Sequence, residues 1–212
     1  MVKELHRLFP STVGLYSNEE CKSHKDVKNL LVNLKSTGNL KQSTPDFFQS
    51  VSGIHLKNEL KDINSFVKQS VFDFIISCGY NVDFEDLYIA DSWANTSSNK
   101  AVTHTPHSHS NSFISAVYYS SAPKGSGSLY FLHPCSQLHS LDPDHLRQTI
   151  DNTTEASFEP KEGDCIVFRS ALVHGVSQNY LANLDRISIA YNFNIKHLGK
   201  LSASSHYEER IS

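Results

Sequence analysis

Residues 104–120 read HTPHSHSNSFISAVYYS. Three histidines fall within six positions, and an apolar, β-branched and aromatic run follows at once. In an extended strand, side chains two residues apart share a face. His107 and His109 can therefore converge on one metal ion or one polar cavity. The same spacing also suits a solvated loop or histidines satisfied by ordinary hydrogen bonds. His104 stands an odd number of residues from both, so it is expected to face elsewhere, as a bystander near the cavity rim. Working outward, four further segments have the same short, β-rich character: DLYIADSWANTS (86–97), GSLYFLHP (127–134), GDCIVFRSALVHGV (163–176) and RISIAYNFNIK (186–196). Turn-forming stretches such as APKGSGS and PKEGD separate them. Several short strands in succession predict an antiparallel barrel or a two-sheet jelly roll. Residues 142–160, DPDHLRQTIDNTTEASFEP, read as an irregular excursion between strands.

The chain before residue 86 reads as helical. YSNEECKSHKDVKNLLVNLKSTG (16–38) opens with Ser17 and Glu20 at capping-box spacing and closes at Gly38, a C′ position. In residues 56–78, Leu56, Leu60, Ile63, Val67, Phe74 and Cys78 recur near a 3.6-residue period, and Gly79 ends the helix. The fold class expected is α+β, a jelly roll over 86–200 with a mainly helical support region over 1–85, all within one domain spanning 1–212.

Composition narrows the function. With 212 residues, 39% hydrophobic and 19% charged, the chain fits a globular protein of one domain. A net charge of −3 and the lack of a basic run argue against a nucleic-acid coat. No apolar stretch approaches a membrane span, and MVKELHRLFPSTVGLY lacks the apolar core of a signal peptide. The expectation is an intracellular protein with no membrane partner. Its four cysteines, Cys21, Cys78, Cys135 and Cys165, are dispersed and expected to be reduced thiols.

A second informative stretch lies at 162–193. The apolar strand CIVF leads to Val173-His174-Gly175, a loop follows, and Arg186-Ile187-Ser188 opens another strand. Arg186 and Ser188 share a face. An arginine inside an apolar strand is costly without an anionic partner, and its planar fork suits a carboxylate. The plainer alternative is a strand-end arginine paired with a surface acid, Asp185 being adjacent. His133 reads as a strand-end residue, and His139, His145, His197 and His206 as surface or loop residues. Trp93 is expected in the core, and Asn192 either faces the cavity or bonds within the sheet.

Taken in order, SWAN, HSHSNSFISAVYY, PKEGD, FRSALVHGV and RISIAYN resemble the Fe(II)- and 2-oxoglutarate-dependent oxygenases, over roughly residues 90–195. The likeness is greatest to a branch of 2OG-Fe(II) oxygenases met in marine bacteria and their phages. More distantly, AVYYSSAPKGSGSLYF resembles the strand-turn-strand of prolyl 4-hydroxylases. The resemblance implies a double-stranded β-helix, also called a cupin-like jelly roll, with Fe(II), 2-oxoglutarate and O2 as cofactor and cosubstrates. It implies His107 and His174 as metal ligands. It places Arg186, with Ser188 and Tyr119, at the cosubstrate's far carboxylate, and Asn95 in contact with the cosubstrate. It implies the cytoplasm of a bacterial cell or an infected host.

This sequence departs from the wider superfamily where a carboxylate is usual: position 109 is histidine. Three consequences stay open at this stage. His109 is the third metal ligand, or it stands off and water or chloride fills the position, or the site is degenerate. The activity implied is hydroxylation coupled to decarboxylation of 2-oxoglutarate to succinate and CO2. Rival readings are a three-histidine cupin-like dioxygenase that does not use 2-oxoglutarate, and a non-catalytic protein with a vestigial pocket. The substrate expected is a small molecule or a peptide. The N-terminal helices would shape substrate entry or form a homodimer contact.

Overall fold

The computed structural model describes residues 4, 9–18, 23–44, 47–97, 103–178 and 185–196. The strands are β1 (Val13–Ser17), β2 (Leu40–Thr44), β3 (Phe47–Ser50), β4 (Leu87–Ser97), β5 (His104–His107), β6 (Ile114–Ser121), β7 (Leu129–Leu132), β8 (Glu155–Phe158), β9 (Asp164–Arg169), β10 (His174–Val176) and β11 (Arg186–Ile195). The helices are α1 (His24–Ser36) and α2 (Lys61–Ser77). Two antiparallel sheets face one another: a seven-stranded sheet in the order β1-β9-β6-β11-β4-β3-β2, and a four-stranded sheet in the order β5-β10-β7-β8.

Alternation along the strands divides the large sheet into two faces. One face carries Ala94, Ile114, Ala116, Tyr118, Cys165, Val167, Ile187, Ile189, Tyr191 and Phe193, which pack against the buried stripes of α1 and α2. The other looks toward the small sheet, where Tyr119, Leu129, Phe131, Ile166 and Phe168 form a second, smaller core. The helices thus hold the large sheet from behind and leave the space between the sheets for the site.

Both helices end as the sequence indicates. Gly38 has φ +73° and Gly79 has φ +83°. At each end the next amide reaches back five residues, Asn39 to the Leu34 carbonyl and Tyr80 to the Ile75 carbonyl, the Schellman arrangement. Their starts differ from expectation. Ser17 closes β1 instead of capping a helix, α1 begins at His24 behind Ser23, and Glu20 lies outside the described residues. Leu56 sits in a short 3-10 turn before α2 and is 79% exposed, so it is no part of the apolar stripe.

The region before residue 86 also contributes more than helices. β1 adds to β9, and the β2–β3 hairpin adds to β4, extending the large sheet on both edges. The excursion at 142–160 contains β8, which pairs with β7. Among the described residues, no helix is long and apolar enough to cross a membrane.

Candidate active site: three imidazoles and a buried arginine between the sheets

β10 and β5 place His174 and His107 directly opposite each other. His109 follows β5 by two residues, and its backbone amide donates to the Ser170 carbonyl at 2.9 Å, which draws it back toward the end of β9. One ring nitrogen from each of His107, His109 and His174 lies within 4.8 Å of the others. The ring centroids are 4.5 Å apart for His107 and His174, 5.2 Å for His107 and His109, and 5.3 Å for His109 and His174.

Hydrogen bonds fix the outer nitrogens of two rings. Nδ1 of His107 faces the Thr105 carbonyl at 2.8 Å, and Nδ1 of His174 faces the Leu172 carbonyl at 2.9 Å. A carbonyl can only accept, so both rings carry the proton on Nδ1 and keep a lone pair on Nε2. Burial holds His174 down to about 4 and also lowers His109. These two rings are therefore neutral near pH 7 and need lose no proton to bind a metal.

His104, expected to face away, lines the same cavity. The register between β10 and β5 slips there, with Val176 opposite His104 and His174 opposite His107. Two steps on one strand match three on the other, and the extra residue reverses the parity on which the expectation rested. Pro106 lies within this irregular step, on an edge strand where its missing amide is tolerated. The His104 ring packs 5.4 Å from Phe47 and 4.8 Å from His107.

Trp93 is likewise at the cavity and not in the core. Its ring lies nearly parallel to His109 at 5.7 Å, and its indole nitrogen is buried with no acceptor. The signal was present, because Trp93, Asn95 and Ser97 are two apart on β4 and all three line the cavity. His133, His139 and His145 lie away from it, in a surface group around Asp142 and Cys135. His197 and His206 lie outside the described residues.

The opposite wall belongs to the large sheet. Across three adjacent strands, Asn95 pairs with Ser188 and Ser188 pairs with Tyr119. Arg186 lies two residues along β11 and is 5% exposed. Its guanidinium carbon stands 5.1 Å over the Tyr119 ring, and Nη1 reaches the Ser188 hydroxyl only at 3.5 Å. Nε and Nη2 of Arg186, the Tyr119 hydroxyl and the Asn95 carbonyl oxygen are buried without any hydrogen-bond partner. Asp185 is exposed, and among the described residues no carboxylate pairs with Arg186. Burial pushes the Tyr119 phenol up to about 12 against the opposing pull of Arg186, so it stands as a donor. Among the described residues, no acidic side chain lines the cavity.

Unpaired donors of this kind are rare in a folded interior. A guanidinium fork beside a neutral phenol matches the shape and charge of a carboxylate. Three imidazoles on one side of the same cavity match a borderline divalent cation such as Fe(II). The residues present therefore fit both a metal ion and an anionic, carboxylate-bearing ligand.

Two facing antiparallel sheets with this site between them define a double-stranded β-helix with a cluster of three histidines that could hold a metal ion. The family model described as "Putative 2OG-Fe(II) oxygenase" matches residues 91–192, from within β4 to within β11. Over these residues, just under half of the chain, it is similar to the 2OG-Fe(II) oxygenases, non-haem iron oxidoreductases that use Fe(II), 2-oxoglutarate and O2. No curated protein matches the chain in sequence. Among solved structures, it is similar to the α-ketoglutarate-dependent epimerase SnoN from nogalamycin biosynthesis, with TM-score 0.62, 13% identity, and 86% of this chain and 76% of that one covered. A Pseudomonas putida prolyl-4-hydroxylase gives TM-score 0.57 at 13% identity over 88% and 94%. HygX from Streptomyces hygroscopicus, with nickel and 2-oxoglutarate bound, gives 0.57 at 13% over 88% and 84%. At these identities the likeness is one of fold.

Proposed function

We propose that this protein oxidises a small molecule or peptide with Fe(II), 2-oxoglutarate and O2, most simply by hydroxylation. In this reading His107, His109 and His174 hold the metal through nitrogen, with His109 in place of the usual carboxylate. Arg186 binds the far carboxylate of 2-oxoglutarate through its unpaired nitrogens. Tyr119 donates to the same carboxylate, while Ser188 and Asn95 complete the polar wall. The bound metal and cosubstrate supply the oxidising chemistry, in which 2-oxoglutarate loses CO2 to become succinate and one oxygen atom of O2 passes to the substrate.

The observation that carries the reading is the buried Arg186, whose Nε and Nη2 have no hydrogen-bond partner and which no carboxylate among the described residues neutralises, on the wall of the cavity that holds the three imidazoles. A cupin-like dioxygenase that ignores 2-oxoglutarate gives that arginine no task, and its burial is costly without one. The chain's own contribution is to orient and exclude. Residues of the large sheet hold the far end of the cosubstrate, and the aromatic rings of Trp93, Phe168 and Phe47 keep water from the walls.

Adding Fe(II) and then 2-oxoglutarate to the protein without oxygen should produce the visible iron-to-oxoglutarate charge-transfer band. Both His109→Ala and Arg186→Ala should lose it. A band that survives in His109→Ala removes His109 from the metal. Iron binding with no band in the parent removes 2-oxoglutarate from the reading.

A further inference from the structure

Two of the three clustered histidines have their outer nitrogens on backbone carbonyls. The third does not: Nδ1 of His109 faces the side-chain amide of Asn192, 3.2 Å from the amide nitrogen position. The other end of that amide meets the Ser115 hydroxyl at 3.0 Å. Ser115 bonds the Ser170 hydroxyl at 2.9 Å, and Ser170 bonds that of Ser112, also at 2.9 Å. A chain of four side chains thus runs behind His109. The Ser170 backbone carbonyl accepts from the His109 amide in the same place.

The two ends of an amide are nearly the same shape, and the choice between them has chemical consequences. If the NH2 end faces His109, Nδ1 is an acceptor, the proton sits on Nε2, and that nitrogen has no lone pair for a metal. If the carbonyl end faces His109, Nδ1–H donates to Oδ1 and Nε2 is free, as in His107 and His174. Serine hydroxyls rotate and serve as donor or acceptor, so the chain accommodates the second arrangement: Asn192 Nδ2 donates to Ser115, which donates to Ser170, which donates to Ser112. Only this arrangement is compatible with three imidazole ligands.

We propose that Asn192 is the positioning residue of the third histidine, accepting the His109 Nδ1 proton through Oδ1 while the Ser115–Ser170–Ser112 hydroxyls hold the amide in that orientation. The proposal rests on the three-histidine reading above. Where a backbone carbonyl sets the tautomer of His107 and His174, a side chain on β11 does so for His109. Outer partners of ligating histidines commonly change metal affinity 10- to 100-fold.

Two measurements test this. Histidine ring 15N shifts of the metal-free parent, with the His109 signals identified by their loss in His109→Ala, report the tautomer directly. They should show Nδ1–H and should match those of Asn192→Asp, whose carboxylate can only accept from the ring. Co(II) titration, followed by visible absorption, should then show affinity reduced 10- to 100-fold in Asn192→Leu, which keeps the side-chain size, and within a few-fold of the parent in Asn192→Asp. An Nε2–H tautomer in the parent overturns the proposal. So does equal Co(II) affinity in Asn192→Leu, or an equal loss in both variants, which would reduce Asn192 to packing. A parent that binds no Co(II) overturns the three-histidine site itself, and the proposal with it. A parent that binds while Asn192→Leu binds equally overturns the proposal alone.

Discussion

Tyr119 has a hydroxyl that is fully buried with no acceptor for its proton, in the middle of a well-paired sheet. A buried donor without an acceptor costs about 1–3 kcal/mol. Tyr119→Phe removes the orphan and keeps the ring under Arg186. The ligand-free variant should therefore be as stable as the parent or up to about 2 kcal/mol more stable in urea unfolding. Its affinity for 2-oxoglutarate should fall about tenfold or more, because a hydrogen bond to a charged group is lost. A gain in stability with unchanged cosubstrate affinity would show that the hydroxyl serves neither the fold nor the carboxylate. At this scale the sequence was informative where chemistry is unusual for its setting. Arg186 stands out in an apolar strand, and His107 and His174 stand out beside β-rich runs. It was silent where a neighbouring strand decides the matter, as at His104, whose ring lines the cavity because the register slip between β5 and β10 reverses its parity.

At the scale of elements, the strands from β4 to β11 were legible wherever an apolar run or alternation marks a buried face. β1, β2 and β3 were not, because VGLYS, LKQST and FFQS are short segments at the margins of the sheet, β1 held by pairing with β9, β3 by β4 and β2 by β3. The β5–β10 irregularity was invisible for a related reason: a bulge changes parity without changing composition. Gly175 sits at this junction. A Cβ there would meet the Tyr130 ring at 2.5 Å and the His104 backbone carbonyl at 2.6 Å. The ring can turn away, but the carbonyl belongs to β5, so an added methyl must push β5 from β10. Gly175→Ala should lower Co(II) affinity at least tenfold by separating His107 from His174. Gly38→Ala makes a useful contrast, since its φ of +73° resists a side chain but nothing lies within 4 Å. It should cost about 1 kcal/mol of stability and leave metal affinity unchanged. Equal metal affinity in both variants would mean that the approach of β5 to β10 does not set the site.

For the whole molecule, the space between the sheets gathers titratable rings into a place with little water. Burial holds His104 and His174 down to about 4 and lowers His109 as well. In the unfolded chain these rings titrate near 6.5. Between about pH 6.5 and pH 4 the unfolded chain therefore binds more protons than the folded one, and stability must fall as pH falls through that window. For His174, which is 5% exposed, the loss by pH 5 is about 2 kcal/mol, and His104 adds a smaller amount because it is less enclosed. Urea midpoints for the metal-free protein should drop steadily from pH 7.5 to pH 5.0. His104→Phe, which keeps a ring against Phe47 but cannot take a proton, should flatten part of the slope. A divalent ion binds only the deprotonated rings of the folded state, so saturating Co(II) should move the onset of the loss to lower pH. A metal-free midpoint that stays level from pH 7.5 to pH 5.0 would mean that the cavity admits water freely. The exclusion of solvent assigned to its aromatic walls would then have to be abandoned.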